Sequence, residues 1–206
     1  MLASAYHQTS FNQGPLREAH MVTHPPQIKG AKLLVLWGGE DISPALYHQE
    51  PVHAHAGKVP SHRDKVEWNL LHAAVKEGIP ILGICRGAQM LCAAGGGALY
   101  QHVENHGTQH ILHTTDGKEF MANSCHHQMM IPTEDMQVLA VTPCRSPKKW
   151  MDQSDPIIST EDEPEVVYFP KMKAIGVQGH PEWMSYESVF VKWIRQITGE
   201  LLHVEI

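Results

Sequence analysis

The sequence predicts an α/β fold: a three-layer sandwich with a central, mostly parallel sheet. Short apolar runs end at glycines, stretches of helical period follow them, and the first half of the chain alternates the two. Its 206 residues, 42% hydrophobic, suit one domain over residues 1–206 that buries a sizeable core, with residues 1–30 as an atypical N-terminal segment.

Residues 1–30 are polar, turn proline-rich at "THPPQIKG", show no clear period and contain no convincing strand. The run "AKLLVLW" (31–37), stopped by Gly38-Gly39, reads as a buried strand. "EDISPALYHQEP" reads as a loop with one helical turn. Residues 64–77 space Val66, Leu70, Ala73 and Ala74 as a helix does; Asp64 with Glu67 three residues on has capping-box spacing, and Gly78 closes the helix. "IPILGI" (79–84) is a second buried strand, and "RGAQMLCAA" a helix ending at Gly95-Gly96-Gly97. Beyond it, "EFMANSCHHQMMI", "MQVLAVT", "VVYFP" and "KAIGVQ" are strand candidates, and residues 143–165 are loop-like. The chain ends in an amphipathic helix over 185–198, with Val189, Phe190, Trp193, Ile194 and Ile197 on one face.

Two strand ends carry chemistry. In Gly83-Ile84-Cys85-Arg86-Gly87, a strand turns sharply into a helix and lifts Cys85 above the sheet edge. Glycines on both sides allow the turn, the pattern of a nucleophile elbow with cysteine for serine. A helix N-terminus favours a thiolate there, and the Arg86 amide N–H faces a developing oxyanion. The plain alternative is a small buried thiol at a tight turn. The second strand end is "AIGVQGHPEWM", where Pro181 keeps the segment extended so that His180 and Glu182 point the same way. Cys85 as nucleophile, His180 as base and Glu182 as its orienting partner make a triad.

With these residues identified, the chain resembles the class I glutamine amidotransferase-like superfamily, in its γ-glutamyl hydrolase branch, which includes γ-glutamyl-γ-aminobutyrate hydrolases. The resemblance covers roughly residues 31–198. It rests on "HRDKVEWNLLHAAVKEGIPILGICRGAQMLCAAGGGALYQ" (62–101), on "LLVLWGGEDISPALY" with Trp37 where proline is usual, on "NSCHHQM" (123–129) and on "GVQGHPEW". It implies a flavodoxin-like fold, from which this chain departs by a shortened N-terminal edge, since only some thirty residues precede "AKLLVLW". It also implies an oxyanion hole from the N–H groups of Arg86 and the Gly38-Gly39 loop, a substrate contact from Gln89, and a place near the pocket for His126 and His127. Gln89 as an ordinary helix residue, the histidine pair as a strand cap and the two glycines as a bare turn stay open beside those roles.

The implied activity is hydrolysis of a γ-glutamyl amide in a small-molecule substrate, without metal or organic cofactor. Alternatives are a glutaminase subunit passing ammonia to a separate synthetase, and a non-catalytic binding module on the same fold. A shortened sheet edge points to a homodimer or a partner subunit.

Lys+Arg is 16 against Asp+Glu 22, a net charge of −6 with no basic block, which argues against nucleic acid and an anionic membrane surface. No apolar run approaches the ~18 residues of a membrane span, and no secretory leader is evident, so a cytoplasmic protein is expected. Cys85, Cys92, Cys125 and Cys144 form no C-x-x-C pair and read as free thiols. Of the 16 histidines, two groups stand out: His48, His53, His55 and His62, then His102, His106, His110 and His113. Gly107 and β-branched flanks argue against a helical alignment of the second group, and both read as scattered surface histidines rather than metal ligands.

Overall fold

The computed structural model describes residues 1–5, 16, 19–143, 150–151 and 161–206. Strands β1 (Leu2–Ala5), β2 (His20–Val22) and β3 (Leu33–Leu36) precede helix α1 (His62–Glu77), β4 (Ile81–Ile84) and helix α2 (Arg86–Ala94). Then come β5 (Ala98–Tyr100), β6 (His102–Val103), β7 (His110–Thr114), β8 (Glu119–Ala122), β9 (Met129–Ile131) and β10 (Gln137–Thr142). Strands β11 (Trp150–Met151), β12 (Glu163–Phe169) and β13 (Ala174–Val177) and helix α3 (Val189–Leu202) complete the chain.

Among the described residues, nine strands form one sheet in the order β2-β1-β3-β4-β13-β12-β10-β7-β8. Pairing is parallel from β2 through β13 and antiparallel from β13 to β8. The parallel part has the doubly wound order of flavodoxin-like folds, whose ligand sites lie outside the carboxyl ends of the strands. Strand β3 shows why three layers form. Leu34 and Leu36 face the core shared with Leu70, Leu71, Ala88 and Leu91 of α1 and α2. Leu33 and Val35 face the core shared with Phe190, Trp193, Ile194 and Ile197 of α3. All four β3 side chains are buried, so the strand is apolar throughout rather than alternating.

Three expectations change. The N-terminal edge is not stripped of strands: β1 and β2 add two parallel strands beyond β3. β1 is only Leu-Ala-Ser-Ala and β2 His-Met-Val, too short and mixed to give a period, and their order comes from pairing in register, β1 with β3 and β2 with β1. Helix α1 starts at His62 with Ser61 as its N-cap; Ser61 Oγ accepts from Asp64 N at 3.0 Å and Asp64 Oδ2 accepts from Ser61 N at 2.8 Å. Asp64 is thus the third-position partner of the box and Glu67 takes no part in it. Gly78 closes the helix in the left-handed region, as expected. Helix α3 is capped by Ser188 and runs on to Leu202, with Val189 exposed and Phe190, Trp193, Ile194 and Ile197 buried. Among the described residues no helix is long and apolar enough to cross a membrane. Cys85, Cys92 and Cys125 are free thiols, while Cys144 and most of the 143–165 stretch lie outside the described residues.

Candidate active site at the carboxyl edge of the sheet

Strands β3, β4 and β13 are neighbours, and the register places Leu36 beside Gly83 and Val177 beside Ile84. The three strands therefore end at one level, and the segments that follow them carry Gly38, Cys85 and His180. Cys85 has φ 49° and ψ −105°, outside the comfortable regions for a residue with a side chain. The strain is held from both directions. Cys85 N donates to Val177 O at 2.6 Å, and Cys85 O accepts from Gln89 N at 3.1 Å as the first bond of α2. The flanking glycines are demanded by close approach: a Cβ on Gly87 would stand 2.2 Å from Leu36 O, and one on Gly83 would stand 2.6 Å from the Gly87 carbonyl.

Gly38 marks where the pieces meet. A Cβ built there would lie 2.7 Å from His180 Cε1 and 3.4 Å from Cys85 Cβ, so only a glycine lets the ring and the elbow close over this loop. His180 Nδ1 lies 2.7 Å from Glu182 Oε1, and Trp183 stacks on the imidazole at 3.7 Å between centroids and 2° between planes. The segment is not extended as expected: Pro181–Trp183 form a 3-10 turn, because proline suits the first helical position. The turn still carries Glu182 back to the ring. Asn123, which sequence reasoning passed over, accepts from His180 N through Oδ1 at 3.1 Å.

The loop after β3 is held by Arg63. Its guanidinium donates to Trp37 O at 3.1 Å and Gly38 O at 2.9 Å, and would collide with a Cβ on Gly39, whose φ is 150°. Arg63 Nε also donates to Glu67 Oε1 at 3.0 Å. Glu67 in turn pairs with the buried Arg86 side chain, which reaches Asp64 Oδ1 at 2.5 Å. Two cations and two anions thus balance beneath the elbow. Burial, with Arg63 nearby, lowers the Arg86 pKa to about 10 against the pull of Asp64. The only sequence sign of this network is the Arg63-Asp64 pair at the start of α1, and its burial was not legible.

The other expected site residues are placed as follows. Gln89 is buried and its Nε2 donates to Gln128 O at 3.0 Å. His126 and His127 point to different places: His126 Nδ1 lies 2.9 Å from Gln128 O in the interior, whereas His127 Nε2 lies 3.2 Å from Asp41 Oδ1 and its ring 4.3 Å from that of His55. His127 helps to line a cleft of about 470 Å³ with Glu40, Asp41, His55, Arg63 and Arg86. The two histidine groups are not all at the surface, since His106 and His110 are buried.

The thiol does not behave as a helix N-terminus alone would dictate. Burial pushes the Cys85 pKa up to about 12; the Arg86 backbone N–H draws it down, and Glu182 adds to the rise. A helix terminus contributes about 0.3–1 kcal/mol, less than burial of a charge costs. The thiolate fraction below such a pKa falls tenfold per pH unit. Alkylation of Cys85 by iodoacetamide, followed by peptide mass spectrometry, should therefore keep accelerating with pH at pH 10. A plateau below pH 8 would show a preformed thiolate instead.

Similar sequences and folds establish the lineage. Residues 26–144 match the Peptidase C26 family. A Schizosaccharomyces pombe protein provisionally named a glutamine amidotransferase is 30% identical over 167 residues, covering 77% of this chain and 63% of that protein. A Lactococcus lactis subsp. cremoris protein provisionally named glutamine amidotransferase-like is 37% identical over 118 residues, covering 47% of this chain and 62% of that protein. The chain thus spans under two thirds of the length of these relatives. A glutamine amidotransferase structure from Thermotoga maritima aligns with a TM-score of 0.58 at 18% identity, covering 97% of this chain and 83% of that one. A Thermoplasma acidophilum structure, provisionally described as a GMP synthase subunit, gives a TM-score of 0.60 at 16% identity, covering 98% and 94%. These two structures share the fold. With more than half of its length matched, the chain belongs to the Peptidase C26 family, on a class I glutamine amidotransferase fold.

Proposed function

We propose that the protein is a cysteine-dependent hydrolase that cleaves the γ-glutamyl amide C–N bond of glutamine or of a γ-glutamyl conjugate of an amine. One observation carries this reading: the strained Cys85, Gly38 and the Glu182-bound His180 meet above the ends of three adjacent strands. Glu182 accepts the Nδ1 proton, which leaves Nε2 as the base. His180 takes the Cys85 proton as sulfur attacks the γ-carbonyl, so the high thiol pKa is met by proton transfer during attack rather than before it. Arg63 binds the carbonyls of Trp37 and Gly38. In planar trans peptides the N–H groups of Gly38 and Gly39 then point away from Arg63, which suits them, with Arg86 N–H, to hold the oxyanion. The intermediate collapses as His180 protonates the leaving amine. Water, deprotonated by His180, then attacks the glutamyl thioester; glutamate leaves and the proton returns to sulfur.

The cleft beside the elbow offers carboxylates from Glu40 and Asp41 and a guanidinium from Arg63, charges of both signs such as an amino-acid head requires. A second reading, an ammonia-supplying subunit, is favoured by the fold shared with the Thermoplasma acidophilum protein described as a synthase subunit. Incubation of the pure protein with glutamine and a panel of γ-glutamyl amines, with glutamate release as readout, tests both. Turnover of one or more panel members by the protein alone is the expected result. Turnover only with an added synthetase and its nucleotide moves the function to the second reading, and none under either condition overturns hydrolysis.

A further inference from the structure

At the start of β12, two fully buried carboxylates, Glu163 and Glu165, stand among three buried histidines, His106, His110 and His126. Glu165 Oε1 lies 3.3 Å from His106 Nδ1, 3.2 Å from His110 Nε2 and 3.5 Å from His126 Nε2. These contacts lack hydrogen-bond geometry: the three facing nitrogens and both Glu165 oxygens are buried without a hydrogen-bond partner among the described residues.

The far sides of the rings show where the protons are. His126 Nδ1 sits 2.9 Å from Gln128 O and His110 Nδ1 sits 3.2 Å from Thr108 O. A carbonyl only accepts, so each Nδ1 carries the proton and, in the neutral ring, each Nε2 turns a lone pair toward Glu165. His106 Nε2 lies 2.7 Å from Glu163 Oε2, again without hydrogen-bond geometry, so this ring stands between the two carboxylates with no far-side bond to fix its proton. The Nε2 lone pairs of neutral His110 and His126 facing a carboxylate oxygen in a dry interior repel it unless a cation stands between them. Ring nitrogens whose opposite N–H is held by a carbonyl, as in His110 and His126, are a usual outer arrangement of a metal centre.

The spacing fits. Ligands about 2.0–2.1 Å from a tetrahedral ion stand about 3.3–3.4 Å apart. One donor atom from each of His106, His126 and Glu165 lies within 4.8 Å of the other two. His110 reaches the carboxylate oxygen and flanks this set, beside the fourth position. Nitrogen donors select a first-row transition ion over calcium or magnesium. We propose that His106, His126 and Glu165 hold a divalent first-row metal ion, zinc by its donor set, with the fourth position left to His110 or water.

The ion would fasten the 123–128 segment to β12. That segment already ties Ser124 Oγ and His126 N to His106 O, at 2.7 and 3.2 Å. Its Asn123 holds the His180 backbone and its Gln128 carbonyl accepts from Gln89 and Gln178. The role is structural, and the inference stands independently of the proposed hydrolysis.

Elemental analysis of the untagged, full chain should find close to one zinc per chain. Removal by a chelator should lower Tm by roughly 5 °C or more. Reconstitution with cobalt(II) should give the intense visible bands of four-coordination. Glu165→Gln should lose at least nine tenths of the metal, whereas His102→Asn, in the more open group of His55, His102 and His127, should keep it. A wild-type protein that holds no metal, takes up no cobalt and shows no Tm shift with zinc overturns the proposal; a protonated His106 between the two carboxylates then explains the cluster. Metal retained by Glu165→Gln overturns it as well. Should that variant fail to fold, the wild-type metal content and cobalt spectrum decide.

Discussion

Replacing Cys85 with alanine should reduce kcat/KM for glutamate release by at least about 10³-fold, because the sulfur held at the elbow beside His180 is the atom that would form the thioester. Cys85→Ser should lose nearly as much, since a hydroxyl is a far weaker nucleophile under the same base. Neither change should unfold the protein. Cys85 fills little volume, and its φ of 49° is imposed by bonds from its backbone to Val177 and Gln89, which both variants keep. The stability cost should be about 1 kcal/mol. Cys92→Ala provides the control. Cys92 is equally buried, with its pKa likewise pushed up to about 12 by burial, and its sulfur lies 3.6 Å from the carbonyls of Ala98 and Ile131. It has no base and no elbow, so activity should persist. If Cys85→Ala kept more than a tenth of kcat/KM while Cys92→Ala did not, the reaction centre would lie elsewhere.

What the sequence made legible follows from which interactions leave a local trace. The β4–Cys85–α2 turn does, because a Cβ at Gly83 or Gly87 would strike backbone within four residues or on the adjoining β3. The His180–Glu182 pair does too, since both ends of the 2.7 Å contact lie two residues apart. Strands β1 and β2 leave almost none: their three or four mixed residues become strands only once β3 offers an edge to β1 and β1 offers one to β2. The charges of α1 mislead for a related reason. Asp64 and Glu67 look like the start of a solvated helix, and only Arg86, 22 and 19 residues on, reveals that they are buried. His126 and His127 are adjacent in sequence yet enter two clusters, because neighbouring side chains of an irregular segment leave on different sides. The histidines that meet at Glu165 come from two stretches, His106 with His110 and His126 some sixteen residues on, and no spacing rule links the two to each other or to β12.

The buried ion network should give the largest stability effect. Glu67 accepts from Arg86 and from Arg63, and lies wholly out of water. Glu67→Gln keeps the shape but removes the charge, leaving Arg63 and Arg86 opposed with Asp64 as the remaining carboxylate paired to Arg86. An uncompensated buried charge costs about 3–5 kcal/mol, so urea denaturation should show a loss of that size. Salt should recover little of it, since screening acts weakly on buried charges. Activity should fall beyond the loss of folded protein, because a displaced Arg63 frees the carbonyls of Trp37 and Gly38 and with them the loop against His180. A double-mutant cycle with Arg86→Met separates charge from packing. The double variant removes both partners of the pair, so it should be more stable than the sum of the single losses predicts by about 1–3 kcal/mol. A single-variant cost below 1 kcal/mol with additive losses would mean that packing of α1 against α2, rather than charge balance, holds the elbow in place.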